Sequence, residues 1–215
     1  MDTEILFLIN GHYNAFWDTF MTLASHKFTW VAVYISVLFV VWKRYSWRGV
    51  LGVLLMIGVG MLFTDWANAH LLRPWIGRLR PSDIDNPIAP LLHLVDGRRG
   101  GGYGMPSAHS ANVWLLTFVV TYWLRNRIVA VAMSVMALTV CYSRIYLAFH
   151  YPGDILGGFA LAAVVAAFVI WVQQRLSPQL TEGDVTDSKH NRIIIIPAVV
   201  VAGTMAAFLL AAAAG

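Results

Sequence analysis

The segment Ser143-Arg144-Ile145-Tyr146-Leu147-Ala148-Phe149-His150-Tyr151-Pro152-Gly153-Asp154 interrupts two long apolar runs with four polar side chains, Ser143, Arg144, His150 and Asp154. Charged groups at the end of a membrane helix are costly and mark function by default. Their types suit complementary roles in a single reaction, with a guanidinium to hold an oxyanion, an imidazole to attack it and a carboxylate to orient that imidazole. Two more clusters share this character, Arg73 with Arg80-Pro81, and Pro106-Ser107-Ala108-His109. Ser107 after a proline reads as a helix N-cap, with His109 in the first turn. A helix start offers free backbone N–H groups to an anion, and a histidine there can protonate a departing oxygen.

Each cluster also has a plainer reading. Arg73 and Arg80 lie seven apart, two helical turns, so both can face one target, or both can snorkel to lipid headgroups. Ser107 and Asp154 can be ordinary caps, and Arg144 can complement the dipole at the end of its helix. Taken singly, these plainer readings win. The coincidence of all three clusters at one membrane face favours a site.

The elements that must position them follow from composition. The 215 residues are 59% hydrophobic and 12% charged, with positive mean hydropathy. That excludes a soluble globular domain and predicts an all-α integral membrane helical bundle. The net charge of +4 suits loops between spans better than a nucleic-acid surface, so no nucleic-acid partner is expected. Cys141, the single cysteine, lies in an apolar run and can form no intrachain disulfide. Met1-Asp2-Thr3-Glu4 has no basic character and no cleavage site follows, so no cleavable signal peptide is expected.

Residues 1–27 read as an interfacial amphipathic helix, because Asn10, His12, Asn14 and Asp18 interrupt them too often for a span. Six transmembrane helices follow, over about 28–42, 49–72, 107–124, 128–146, 155–172 and 193–215. The first five, 28–172, form the core of a single membrane domain, with a long outer loop at 73–106, a linker at 173–192, and the sixth helix after it. Loops of that length in a compact protein tend to be functional. A tight turn joins the third and fourth spans at Arg125-Asn126-Arg127.

Lys and Arg barely separate the two sides. One carries eight (Lys43, Arg44, Arg48, Arg125, Arg127, Arg175, Lys189 and Arg192) and the other seven (Lys27, Arg73, Arg78, Arg80, Arg98, Arg99 and Arg144). Setting aside Arg73, Arg80 and Arg144 as site residues leaves eight against four, so the positive-inside rule makes 173–192 cytoplasmic and turns the site outward.

Arg73-x6-Arg80-Pro81, Pro106-Ser107-Ala108-His109 and Ser143-Arg144-x5-His150-x3-Asp154 resemble the three-part signature of the type 2 phosphatidic acid phosphatase superfamily. The match spans roughly 30–171. It departs from the family at two positions, where lysine usually stands for Arg73 and glycine for Ala108. The resemblance implies a membrane helical bundle and a lipid phosphate phosphatase. His150 would attack phosphorus to form a phosphohistidine, Asp154 would hold its other ring nitrogen, and His109 would protonate the leaving oxygen. Arg73, Arg80, Ser107, Arg144 and the backbone near Ala108 would bind the phosphoryl oxygens.

No metal or other cofactor is implied, and Asp83, Asp85 and Asp96 are too scattered to hold magnesium. The implied partners are a lipid phosphate substrate and the surrounding membrane lipids. Short length and the N-terminal helix are similar to bacterial undecaprenyl pyrophosphate phosphatases. Phosphatidylglycerophosphate and lipid A phosphates also remain candidates, with the loop from Pro81 to Tyr103 expected to select among them. Two competing readings are a vanadium haloperoxidase, which six spans disfavour, and a non-enzymatic lipid-phosphate binding or transport protein.

Overall fold

The structure is a computed structural model describing residues 1–181 and 193–214. Among the described residues it is nearly all helical and has no sheet. The elements are α1 (Asp2–Asn10), α2 (Ala15–Ser25), α3 (Val31–Ala67), α4 (Arg73–Ile76), α5 (Ala108–Leu124), α6 (Arg127–Tyr146), α7 (Pro152–Leu176) and α8 (Ile196–Ala214). Four helical stretches are long and apolar enough to cross a membrane: Lys27–Ile76, Arg127–Tyr146, Pro152–Leu176 and Ile196–Ala214. The chain is an integral membrane protein. Large apolar side chains such as Leu62, Val131, Leu156, Val164 and Leu210 stand exposed on its outside, as expected of a bundle surrounded by lipid.

Lys27–Ile76 is 50 residues long. A straight helix of that length would run about 75 Å, more than twice a hydrocarbon core of about 30 Å. Ser46 breaks it, with φ 61° and ψ −173°, and an apolar groove lined by Phe39 and Trp42 before the break and by Trp47 and Val50 after it brings the two arms together. The second arm runs against α5. Its far end is tied there by Thr64 Oγ1, which meets Asn112, while at the break the last residues of the first arm hold the other end of α5, Tyr45 Oη donating to the Trp123 carbonyl at 2.7 Å and Arg44 to that of Leu124 at 3.1 Å.

α5 is the axis of the molecule. It is apolar all round, as a fully enclosed helix should be, with Leu115, Val119, Trp123 and Leu124 at the centre of the core. Gly158 of α7 lets that helix cross the start of α5, since a Cβ there would sit 2.5 Å from the Ser107 carbonyl oxygen. At the opposite end Arg125, in left-handed conformation, and the Asn126 N-cap make the expected tight turn into α6.

The N-terminal region differs from the single interfacial helix expected over 1–27. It forms two helices, and α2 packs on α6 and α8, where Phe20 meets Phe208 edge to face. Two of the polar residues that break its apolar pattern, Asn10 and Asp18, are used internally. The buried Asn10 donates to the carbonyls of His93 and Tyr146 and accepts from the His93 amide. Asp18 accepts from Tyr146 Oη at 2.7 Å and pairs with His93. The outer loop is also shorter than the sequence suggests, because Arg73 still lies in helix and the loop begins at Gly77, whose φ of 64° ends α4 in a conformation open to glycine. Of the linker expected over 173–192, residues 182–192 lie outside the described ones.

Candidate active site

α6 ends by folding back on itself. The amides of Phe149 and His150 both donate to the Arg144 carbonyl, at 3.0 and 3.2 Å. The reversal needs a left-handed residue, and Ala148 supplies it at φ 57° while fully buried, at a cost of about 1–2 kcal/mol. His150 is thereby delivered to the start of α7, where Pro152 occupies the first turn and Asp154 faces back toward it. Asp154 Oδ2 accepts from the Tyr151 amide at 3.0 Å and lies 3.3 Å from His150 Nδ1. The cap and the orienting carboxylate are one residue.

His150 and Asp154 are 1% and 0% exposed. With Nδ1–H directed at Asp154, the imidazole lone pair is at Nε2, where Arg80 Nη1 donates to it at 3.3 Å. Burial, followed by the charges of Arg80, Arg144 and Arg73, holds the His150 pKa well below its ordinary value. The free site thus carries a neutral imidazole, the form a nucleophile requires.

Further donors are gathered at the same end of the bundle. Arg80 Nε and Arg144 Nε are buried without a hydrogen-bond partner among the described residues, a cost that a tetrahedral anion would relieve. Arg144 is fixed by its bond to Ser25 Oγ at 2.5 Å and by stacking on Phe149, its guanidinium carbon 4.3 Å from the ring centre. Arg73 donates through Nε and Nη2 to the Pro106 carbonyl, both at 3.3 Å, which draws α4 to the start of α5. There Ser107 is the N-cap, accepting from the Ser110 amide at 3.4 Å, and its own amide donates to the Asp154 carbonyl at 2.9 Å. Ala108 opens the helix. His109 makes no hydrogen bond among the described residues and stands exposed in the wall of a cavity of about 370 Å³ that Arg144 and Phe149 also line.

All eight residues singled out in the sequence therefore lie on the same end of the bundle, joined directly or through one neighbour. Their route differs in one respect from the spacing argument. Arg73 and Arg80 do not share a helical face, because α4 stops at Ile76 and Arg80 stands in the loop, where its amide donates to the Gly102 carbonyl at 3.1 Å.

Several supporting residues escaped the sequence. Arg78 lies outside the motifs, yet Nη1 reaches Asp154 Oδ1 at 3.4 Å, Nη2 pairs with Asp2, and the guanidinium stacks on Tyr151 at 3.9 Å. Asp2 in turn accepts from the Gly153 amide at 2.8 Å. Ser25 and Asp2 carry no pattern of their own in the sequence. Arg78 carried the signal of a cation two residues before Arg80. Asp83 and Asp96 are otherwise engaged: Asp83 accepts from the amides of Gly102 and Asp85, and Asp96 pairs with Arg98.

A buried neutral imidazole held by a carboxylate, with guanidinium and amide donors gathered at the same helix ends, is an arrangement able to carry out phosphoryl transfer. Residues 49–178, which hold all three motifs, match the PAP2 superfamily. The chain is 38% identical over 181 residues to the lipid A 4'-phosphatase of Bacteroides thetaiotaomicron, covering 84% of this chain and 79% of that one. It is 32% identical to phosphatidylglycerophosphatase B of Bacillus subtilis, over 57% of this chain and 56% of that one. Among solved structures it resembles that of Aquifex aeolicus LpxE, with TM-score 0.60 and 18% identity over 79% of this chain and 94% of the other. It also resembles the PAP2-type phosphatidylglycerolphosphate phosphatase of Bacillus subtilis, with TM-score 0.59 and 25% identity over 82% and 86%.

The chain belongs to the PAP2 superfamily. It is a lipid phosphate phosphatase, so the reading as a non-catalytic binding or transport protein gives way.

Proposed function

We propose that the enzyme removes a terminal phosphate monoester from a lipid A type substrate, or from a lipid of like head group such as phosphatidylglycerophosphate, through a phosphohistidine on His150 Nε2. The observation that carries this reading is the geometry of His150, with Nδ1 held by Asp154 and Nε2 turned toward Arg80, together with the buried Nε atoms of Arg80 and Arg144 that no described residue partners. A lipid A monophosphate is preferred over undecaprenyl pyrophosphate because a lipid A 4'-phosphatase aligns with most of the chain.

The Nε2 lone pair attacks phosphorus, the bond from phosphorus to the lipid oxygen breaks, and His109, which takes up a proton as the phosphate anion binds beside it, gives that oxygen its proton. His109, now neutral, takes a proton from water as the water attacks the phosphohistidine. The P–N bond breaks, its electron pair returns to Nε2, and phosphate leaves. Arg73, Arg80, Arg144, the Ser107 hydroxyl and the Ala108 amide hold the phosphoryl oxygens while charge develops. Side chains fill every role, so no metal is required.

In this reading six spans cross the membrane, the two arms of α3 separately and α5 to α8 once each, and the site opens on the outer face of the inner membrane. The turns at 43–48 and 125–127 then share the cytoplasmic end with Gln173, which accepts from Tyr122 Oη at 2.7 Å.

The mechanism is tested by quenching turnover of a ³²P-labelled lipid phosphate in alkali. Label should appear on wild-type protein in an acid-labile, alkali-stable bond, be absent from His150→Ala, and form in excess EDTA. Turnover that stops on chelation and returns with magnesium overturns the reading. Orientation is tested by maleimide labelling of intact cells in a Cys141→Ala background. Ile84→Cys, at an exposed site, should label with an impermeant reagent, and Gln179→Cys should not.

A further inference from the structure

The cavity beside His109 contains charge that the three motifs do not use. Its wall includes Ser25, His26 and Lys27 from the end of α2 and the turn after it, and Arg98 from the outer loop, together with His109 and Arg144. No carboxylate lines it among the described residues. His26, Lys27 and Arg98 are exposed. Among the described residues Arg98 pairs only with Asp96, at 3.3 Å and with both side chains more than 60% exposed, which is a weak hold. His150, Arg73 and Arg80 are absent from the wall.

That division has a direction. An in-line displacement needs the leaving oxygen opposite the nucleophile, and the residue that protonates it must stand on that side. His109 lines the cavity and His150 does not, so the cavity receives the alcohol portion of the substrate. We infer that this cavity is a leaving-group subsite, in which Lys27 and Arg98 select lipid phosphates whose departing alcohol keeps a negative charge of its own.

The inference rests on the phosphatase reading, with His109 as acid, and deepens it by naming a substrate class. A phosphatidic acid releases uncharged diacylglycerol, whereas phosphatidylglycerophosphate releases an alcohol that still bears a phosphodiester anion. The pair shares the same lipid anchor and differs in the feature at issue.

The full chain, purified in detergent, is assayed for phosphate release from both lipids in matched mixed micelles. Wild type should favour phosphatidylglycerophosphate, and the preference should shrink as salt rises, since exposed charges are screened. The double substitution Lys27→Gln with Arg98→Gln should lower kcat/KM for phosphatidylglycerophosphate about tenfold, with phosphatidic acid turnover unchanged. That unchanged turnover also reports that the variant is folded. Equal losses on both lipids, or no loss on either, overturn the subsite. Wild type inert toward both lipids overturns the subsite, and the phosphatase reading falls with it only if lipid A, assayed beside them, releases no phosphate either.

Discussion

In the proposed mechanism the two sides of the reacting phosphorus are built differently. On the attacking side, His150 and Asp154 are excluded from solvent, and both carboxylate oxygens of Asp154 are engaged, one by the Tyr151 amide and one by Arg78. On the departing side His109 is exposed in a cavity wall and makes no hydrogen bond among the described residues. A nucleophile gains from a fixed tautomer and a dry surrounding, which hold its lone pair in line. A leaving-group acid serves a bulky lipid that must enter and depart, and it can do so only from an accessible wall.

The sharpest way to break this comparison is to separate the two histidines by substrate. His150→Ala should abolish hydrolysis of every phosphate ester. His109→Ala should cost about 10²–10⁴ on an alkyl phosphate, the usual worth of a general acid. It should cost far less on an aryl phosphate, whose departing phenolate needs little protonation. Equal losses for His109→Ala on both esters would remove it from the departing side.

A second contrast lies between Arg73 and Arg78. Arg73→Ala should lose about a hundredfold in kcat/KM, about 3 kcal/mol of transition-state stabilisation, and Arg73→Lys should keep substantial activity because charge and approximate reach survive. Arg78 acts through Asp154, so Arg78→Ala should lower kcat by about tenfold with little change in KM, on the scale of a partner lost from an orienting group. Arg78→Lys should recover part of that. Near wild-type turnover of Arg73→Ala would reduce that residue to an interfacial anchor. A pure KM effect at Arg78 would put it in substrate binding instead.

The smallest effect expected is on pH dependence. Because burial and three guanidinium groups lower the His150 pKa, the neutral imidazole persists as pH falls. The acid limb of kcat/KM should therefore lie below about pH 6.5, the ordinary histidine value. Arg73→Ala removes one of those charges and should move the limb upward, while Arg73→Lys should leave it in place. An acid limb above the ordinary value would mean that His150 is not the group being titrated.

The apolar runs made the helices legible, because a spanning helix must satisfy its backbone internally and cover it with apolar side chains. The motif residues were legible only together, because three polar clusters coinciding at one membrane face outweigh the cap and headgroup readings that win for each alone. What the spacing missed was how residues travel to meet. Arg73 and Arg80 looked like one helical face, but Gly77 ends the helix between them, a left-handed turn that overrides a seven-residue period. The N-terminal polar residues looked like the wet face of a surface helix. Asn10 and Asp18 instead bond His93 and Tyr146, partners 75 to 136 positions away, and no local pattern encodes contacts at such separations. Asp154 shows that competing readings need not exclude each other, since capping α7 is what aims its carboxylate at His150.

The bond from the Gly153 amide to Asp2 spans 151 positions of the chain. Ribosomes add about 5–20 residues each second, so Asp2 must wait roughly eight to thirty seconds before its partner is made. During that interval the Arg78 guanidinium has neither Asp154 nor Gly153 nearby, and the early helices sit in the bilayer as an unfinished enzyme. The contact between the first helix and the start of α7 can therefore form only after α7 has been made. A fusion joined ahead of Asp2 would slow that contact, and the same fusion after α8 would leave it untouched.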